Sequence, residues 1–207
     1  MTVAVDVRMV RASGIGAYIR RLLPSVIRAT PELDWLLVGN PAVIAQTELG
    51  GLGTVLPYDL PMYSLRHHLE MPKLLGTRAE LLWTPHFNAP ATRSVRHIAT
   101  IHDVVHLARP EFFPGVARRL VARLWYRRTV RQSRTLVTGS RFTASEIARF
   151  FTAAAHKTSV IYNFVERGYS QFTPVPVPED RPYFLTVGNI KPHKNVATLL
   201  AAFELVR

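Results

Sequence analysis

The sequence predicts an α/β fold: a Rossmann-like, doubly wound parallel sheet with helices on both faces. Two observations predict it. Short β-rich runs alternate with longer amphipathic stretches from the N-terminus to Tyr162, the order that βαβ units require. The runs themselves, such as LLV, IATI and TLVT, are close to continuously apolar, as in strands covered on both faces.

Taken in order, Thr2–Val7 reads as the first strand and Gly16–Ala29 as the helix behind it. Strands follow at Trp35–Val38, Gly53–Leu56 and Leu81–Trp83, with a helix at Tyr63–Leu75. His97–Ile101, Thr135–Thr138 and Ser159–Tyr162 complete the strands, separated by helices at Pro114–Gln132 and Thr143–Phe151. The stretch 171–182, QFTPVPVPEDRP, holds four prolines in twelve residues and reads as an extended connector, because proline neither continues a helix nor donates within a central strand. After it a strand is expected at Tyr183–Val187, a loop at Gly188–Lys194 and a helix at Asn195–Val206. The division that follows is an N-terminal domain over 1–170, a linker over 171–182 and the first βα unit of a second domain over 183–207. One strand and one helix cannot cover both faces of a parallel sheet, so this last unit reads as the beginning of a longer domain.

A chain of 207 residues can bury a core without covalent staples. The absence of cysteine removes disulfide scaffolds, zinc-thiolate and iron–sulfur sites and thiol nucleophiles together. No apolar run approaches the roughly 18 residues of a membrane span, and the N-terminus has no basic lead-in, so a cytoplasmic protein is expected. The net charge is +12, and of 26 basic residues four are lysine, leaving 22 arginines. Between Glu111 and Glu146 there are eight arginines and no acid. Arg119, Arg123, Arg127 and Arg131 recur every fourth residue as one stripe; Val116, Leu120 and Leu124 form a second, read as the face that packs on the sheet. The arginine stripe suits an anionic membrane surface, nucleic acid or phosphorylated substrate, or serves only as a solvated face.

Four segments carry candidate chemistry. RASGIGAYIRRLLPSV follows the first strand, and Gly14 and Gly16 there let backbone and a helix N-terminus approach an anion, although Ile19 stands where a dinucleotide fingerprint has its third glycine. His102-Asp103 follows an apolar strand, the end at which open α/β sheets bind ligands; a histidine there can meet a sugar hydroxyl or buffer charge at a reacting centre. LLWTPHFNAP places His86 and Asn88 at another strand end, suited to an acceptor, while Trp83 and Phe87 read as core. YFLTVGNIKPHKNVATLLAAF sets Gly188, Asn189 and Lys194 before a helix, a second anion site in which lysine acts as a mobile charge.

Together these segments resemble the family-four retaining glycosyltransferases of the GT-B fold, in particular mannosyl and O-antigen-type members. The resemblance rests on GIGAYIRRLLPSV, IHDVVHLARPEFF, LVTGSRFTASEIARFF, VIYNFVERGYSQF and GNIKPHKN in the family's order. It implies two Rossmann-like domains with the active site between them, and a nucleoside-diphosphate sugar as donor. It also implies a polysaccharide or glycolipid precursor as acceptor, retention at the anomeric carbon and no bound metal or other cofactor. His102 and Asp103 then lie by the reacting sugar, with Gly14, Gly16, Gly188, Asn189 and Lys194 around the donor diphosphate and His86 and Asn88 on the acceptor side. Asn189 stands where many members carry arginine, and Asn163-Phe164-Val165 replaces Asn-Gly-Val. Since most of the family's donor domain lies beyond this stretch, the chain alone is expected to be inactive. Peripheral attachment to the inner face of the plasma membrane is expected through the arginine stripe. Nucleic acid is not an expected partner, because no recognised nucleic-acid motif is present and aromatics do not interleave with the arginines. A nicotinamide oxidoreductase lacks its acidic ribose-binding residue at the right distance, and a non-catalytic interaction protein is the remaining alternative.

Overall fold

The computed structural model describes residues 1–92, 94–113, 115–163 and 183–206. Seven strands form one parallel sheet: β1 (Thr2–Asp6), β2 (Asp34–Gly39), β3 (Thr54–Pro57), β4 (Leu81–Thr84), β5 (Arg96–Thr100), β6 (Thr135–Thr138) and β7 (Thr158–Val160). Their spatial order is β3-β2-β1-β4-β5-β6-β7, and every neighbouring pair is parallel. The order reverses between β1 and β4, which opens a crevice above the carboxyl ends of the central strands. Helices α1 (Gly14–Ala29), α2 (Pro41–Ala45), α3 (His67–Leu75), α4 (Val105–Ala108), α5 (Val116–Gln132) and α6 (Arg141–Phe150) connect the strands; α7 (Val196–Val206) follows near the C-terminus.

Each of the seven N-terminal strands lies within two residues of its predicted bounds. The central ones are buried on both faces, with Ala4, Val5, Leu37, Leu82, Ala99 and Leu136 inside, while the outer strands β3 and β7 are only partly covered. α1 docks through Ile19, Leu23 and Ile27 against Val3, Val5 and Leu37. On the other side Met71 and Leu75 of α3 pack with Ala4, Val38 and Leu82. α5 and α6 close the far half through Tyr126, Val130 and Ile147 over Ala99 and Leu136. Ser140 caps α6 by accepting from the Thr143 N–H at 3.0 Å, and Asn40 caps α2 through the N–H groups of Ala42 and Val43.

Two expectations change. Tyr183–Val187 is not a strand: it pairs with none of the seven, and Phe184, Leu185 and Val187 are exposed. An extended segment becomes a strand only where a neighbour takes its backbone hydrogen bonds, and among the described residues none is alongside. The apolar stripe of α5 does not face the sheet either. Ala122, Tyr126, Thr129 and Val130 are the buried set, while Val116, Leu120 and Leu124 are exposed. The linker 171–182 lies outside the described residues.

Candidate active site

Three strand ends build the site. β5 ends at Thr100, and the chain continues through buried Ile101 into His102 and Asp103. The His102 ring donates from Nε2 to the Pro85 carbonyl at 3.1 Å, since a carbonyl can only accept. In the neutral ring this leaves Nδ1 as a lone-pair acceptor. Burial lowers the His102 pKa, with the Pro85 hydrogen bond and Asp103 opposing, which keeps the ring toward that neutral form. Tyr18 of α1 sets its ring edge-on to His102 at 4.9 Å between centroids, and its hydroxyl lies 3.4 Å from Thr100 Oγ1, which also accepts from Trp83 Nε1 at 3.0 Å. Asp103 is exposed and accepts the Val105 N–H through Oδ1 at 3.0 Å, so it orders the start of α4; Tyr126 donates to the Asp103 carbonyl.

A cleft of about 860 Å³ lies over these residues. It brings together Gly14, His102, Asp103, Gly188, Asn189 and Lys194, residues that are up to 180 positions apart in the sequence. Ser13, Gly14 and Ile15 present the start of α1 to the cleft, and no side chain caps that helix end. Arg21, Lys191, His193 and Lys194 share the lining with Asp103 as its acid, so the cleft favours an anion. Lys194 closes a 3₁₀ turn, Pro192–Lys194, and Asn195 follows in the left-handed region at φ 52°, from which α7 departs. Asparagine tolerates that conformation better than most residues. Among the described residues no group of three His, Cys, Asp or Glu side chains is placed to hold a metal ion.

Gly16 does not line the cleft. A Cβ there would fall 2.6 Å from the Val10 carbonyl oxygen and 2.9 Å from that of Met9, so this glycine lets α1 press against the loop leaving β1. At Gly14 a Cβ would meet nothing within 4 Å.

His86 and Asn88 separate as well. His86 lines a second cavity of about 420 Å³, with Tyr63, Phe87, His106 and Phe113, which shares His102, Asp103 and Lys191 with the main cleft. Its Nδ1 accepts the Asn88 N–H at 3.0 Å, so Nε2 carries the proton and faces the Tyr63 hydroxyl at 3.2 Å; burial pushes its pKa down to about 3. Asn88 is buried and donates its side-chain amide to the Met62 carbonyl, holding the loop before α3 rather than facing either cavity. Phe87 stacks on Tyr126 within the core, as its type suggested.

A network that the sequence reading did not identify supports the crevice. Arg8 bonds the Asp6 carboxylate through Nη2 at 2.6 Å and Nε at 2.9 Å, donates to the Leu60 carbonyl at 2.6 Å, and lies 3.1 Å from His67 Nδ1. Both charges are almost fully buried, at 6% and 1% exposure. Removing one partner of such a pair costs about 3–5 kcal/mol, because the other charge is left stranded. The available signal was the acid inside the first strand, with an arginine two residues later; the partners at 60 and 67 carry no local signature.

Arg123, Arg127 and Arg131 are exposed and Arg119 is half-buried. None of the four carries an ion pair among the described residues. No helix among the described residues is long and apolar enough to cross a membrane.

A profile of Glycosyltransferase Family 4 matches residues 12–168, more than half of the chain and including α1 and the His102 segment. The chain belongs to glycosyltransferase family 4. It is also similar to the O-antigen chain mannosyltransferase RfbU of Salmonella typhimurium strain LT2, at 30% identity over 170 residues. That alignment covers 82% of this chain and 44% of the relative, so the chain spans less than half the length of this curated relative. Membership agrees with the Rossmann-like sheet and its crevice. The match ends at residue 168 and so includes His102 but not Lys194, which shares the cleft with it.

Proposed function

We propose that this chain forms the acceptor-side half of a retaining glycosyltransferase that moves a hexosyl group from a nucleoside-diphosphate sugar to a glycan or glycolipid precursor at the inner face of the plasma membrane. The observation that carries the proposal is the cleft in which the uncapped start of α1, His102 and Lys194 converge. In the reaction the bond between the anomeric carbon and the diphosphate oxygen breaks, a bond to the acceptor oxygen forms on the same face, and the acceptor hydroxyl's proton passes to the departing diphosphate oxygen. Charge develops on the departing diphosphate, and Lys194, Lys191 and the N–H groups of residues 14–15 offset it. His102 Nδ1 accepts from a donor-sugar hydroxyl and fixes the ring against the acceptor. The reading relies on these cations rather than on a metal. The mannosyltransferase relative makes a nucleoside-diphosphate mannose the first donor to test, with an O-antigen precursor as acceptor. The 183–206 segment reads as the start of a donor-side domain, and the chain alone is proposed to be inactive.

The test is product analysis by NMR with the complete enzyme and a panel of sugar nucleotides, together with His102→Ala. The anomeric configuration of the donor should persist in the product, and the variant should lose about a hundredfold or more in turnover while remaining folded. An inverted product, or full turnover in His102→Ala, would overturn the proposal.

A further inference from the structure

Tyr63 is placed with more care than an exposed loop side chain needs. It lies between β3 and α3, and the backbone just before it is held at two points: Arg8 donates to the Leu60 carbonyl at 2.6 Å, and the Asn88 side-chain amide donates to that of Met62. Both donors are almost fully buried, which is costly for polar groups unless their hydrogen bonds are made, and here the bonds go to fixing this loop. The Tyr63 ring stacks on Trp125 of α5, at 5.6 Å between centroids and 18° between planes, yet the residue is 53% exposed and lines the small cavity of His86. Its hydroxyl proton can be traced. The Asn88 N–H occupies His86 Nδ1, so Nε2 carries the ring proton and donates to the Tyr63 oxygen. Tyr63 keeps its own proton for another oxygen, and no acceptor for it is present among the described residues. Burial, and next the Asp103 charge, raise its pKa, so that proton stays on.

The geometry points to Tyr63 as the residue that selects the acceptor: its hydroxyl donates to one ring hydroxyl of the acceptor's terminal sugar, which is seated in this cavity. The walls decide the occupant. Phe112, Phe113 and His106 supply flat rings, and the volume of about 420 Å³ lies at the small end of ligand pockets, about 300–1,000 Å³. Apolar ring surface with a few oriented polar groups suits a pyranose, which has a C–H face and a rim of hydroxyls. A lipid tail would fill the same space but strand the Tyr63 proton and the Asp103 carboxylate. The cavity shares His102, Asp103 and Lys191 with the main cleft, so a sugar held here lies beside the donor position. That the sugar is the acceptor rests on the transferase reading; its binding to Tyr63 does not.

The experiment is saturation-transfer NMR of the 207-residue chain with the α and β methyl pyranosides of mannose, glucose, galactose and N-acetylglucosamine. Each hexoside that binds is then compared with its deoxy analogues, which lack one hydroxyl apiece, and farnesyl phosphate is added as a competitor. At least one hexoside should bind. One of its deoxy analogues should bind wild type about tenfold more weakly, the loss expected for a single hydrogen bond. Tyr63→Phe should weaken the parent hexoside by the same factor and abolish its advantage over that analogue. The variant keeps its ring on Trp125, so near-ultraviolet circular dichroism should be unchanged. Binding of no hexoside, equal binding of all deoxy analogues by wild type, undiminished binding in Tyr63→Phe, or displacement by farnesyl phosphate would each overturn the inference. Neither donor nor turnover enters the measurement, so its failure leaves the sugar-transfer assay standing, and a failed transfer assay leaves the binding result standing.

Discussion

Gly14 and Gly16 sit two residues apart at the start of α1, yet the same methyl group should have opposite consequences at the two positions. In Gly16→Ala the new Cβ lies 2.6 Å from one backbone carbonyl oxygen and 2.9 Å from another. Ordinary contact begins at about 3.4 Å, so α1 or the loop at 9–10 must retreat by most of an ångström, and neither oxygen can rotate aside. Overpacking of this kind costs about 1–3 kcal/mol, against about 1 kcal/mol that alanine gains over glycine in a helix. Two backbone oxygens lie inside contact distance, so the cost falls in the upper part of that range, about 2–3 kcal/mol, and the expected net loss is about 1–2 kcal/mol. With a slope of about 2 kcal/mol per molar urea, the unfolding midpoint should fall by about 0.5–1 M with the slope unchanged. In Gly14→Ala nothing lies within 4 Å of the new atom, so stability should stay within about 0.5 kcal/mol of wild type. That methyl does stand at the cleft, and it should weaken nucleoside-diphosphate binding by the complete enzyme. Equilibrium urea unfolding of the 207-residue chain, followed by circular dichroism and tryptophan fluorescence, decides the first part. A Gly16→Ala chain as stable as wild type would refute the reasoning, because it would mean that the β1–α1 loop yields freely.

Three further outcomes are expected. Lys194→Ala in the complete enzyme should weaken binding of a nucleoside diphosphate more than that of the free nucleoside in isothermal titration; equal losses would make the lysine a support of its own turn. Ser140→Ala should cost about 1 kcal/mol in urea unfolding by removing the α6 cap, and no loss would show the Thr143 N–H to be satisfied without it. Acid should destabilise the chain well above the carboxylate range. Burial holds His86 and His97 down to about 3 from the ordinary 6.5, so between these values the unfolded chain takes up protons that the folded chain refuses. The stability they confer is complete above pH 6.5 and is lost as pH falls, by at most about 1.4 kcal/mol per histidine per pH unit. Urea unfolding at pH 7.5, 6 and 5 should show the decline, and His97→Asn should lessen it by that histidine's share; a pH-independent midpoint would exclude neutral buried rings.

The strands were legible because a sheet covered on both faces demands short, continuous apolar runs, and those runs stand out from their surroundings. α2 and α4 were missed for the complementary reason: five and four residues are too short to show a period. The orientation of α5 was misread because its sequence carries two apolar arcs. Leucine spacing selects the one with Leu120 and Leu124, whereas the sheet accepts the one with Ala122, Tyr126 and Val130, where Tyr126 stacks on Phe87. At the candidate site, strand-end position pointed to His102 and the glycine loop to Gly14, and both line the cleft. Nothing local distinguished Gly14 from Gly16, since the difference lies in which backbone passes opposite. The Asp6–Arg8–His67 network was out of reach because its parts are joined only by the fold.

His97 has a consequence that reaches beyond stability. Its Nε2 lies 2.9 Å from Thr84 Oγ1 on β4, and its Nδ1 lies 2.7 Å from Ser133 Oγ, just ahead of β6. Ser133 spends its own proton on the Thr129 carbonyl, so the ring must donate from Nδ1 and accept at Nε2. This leaves one tautomer and one alignment of β5 between its neighbours. Apolar neighbours would tolerate a slip of β5 far better, because they ask only for volume. Here a shift of one residue would turn the imidazole to the opposite face and strand buried partners, at about 1–3 kcal/mol for each. Five residues further on, the same strand delivers His102, and a slip would carry that ring about 3.3 Å from the Pro85 carbonyl. The buried histidine thus acts as an indexing pin, and the aim of the catalytic candidate is set from inside the sheet.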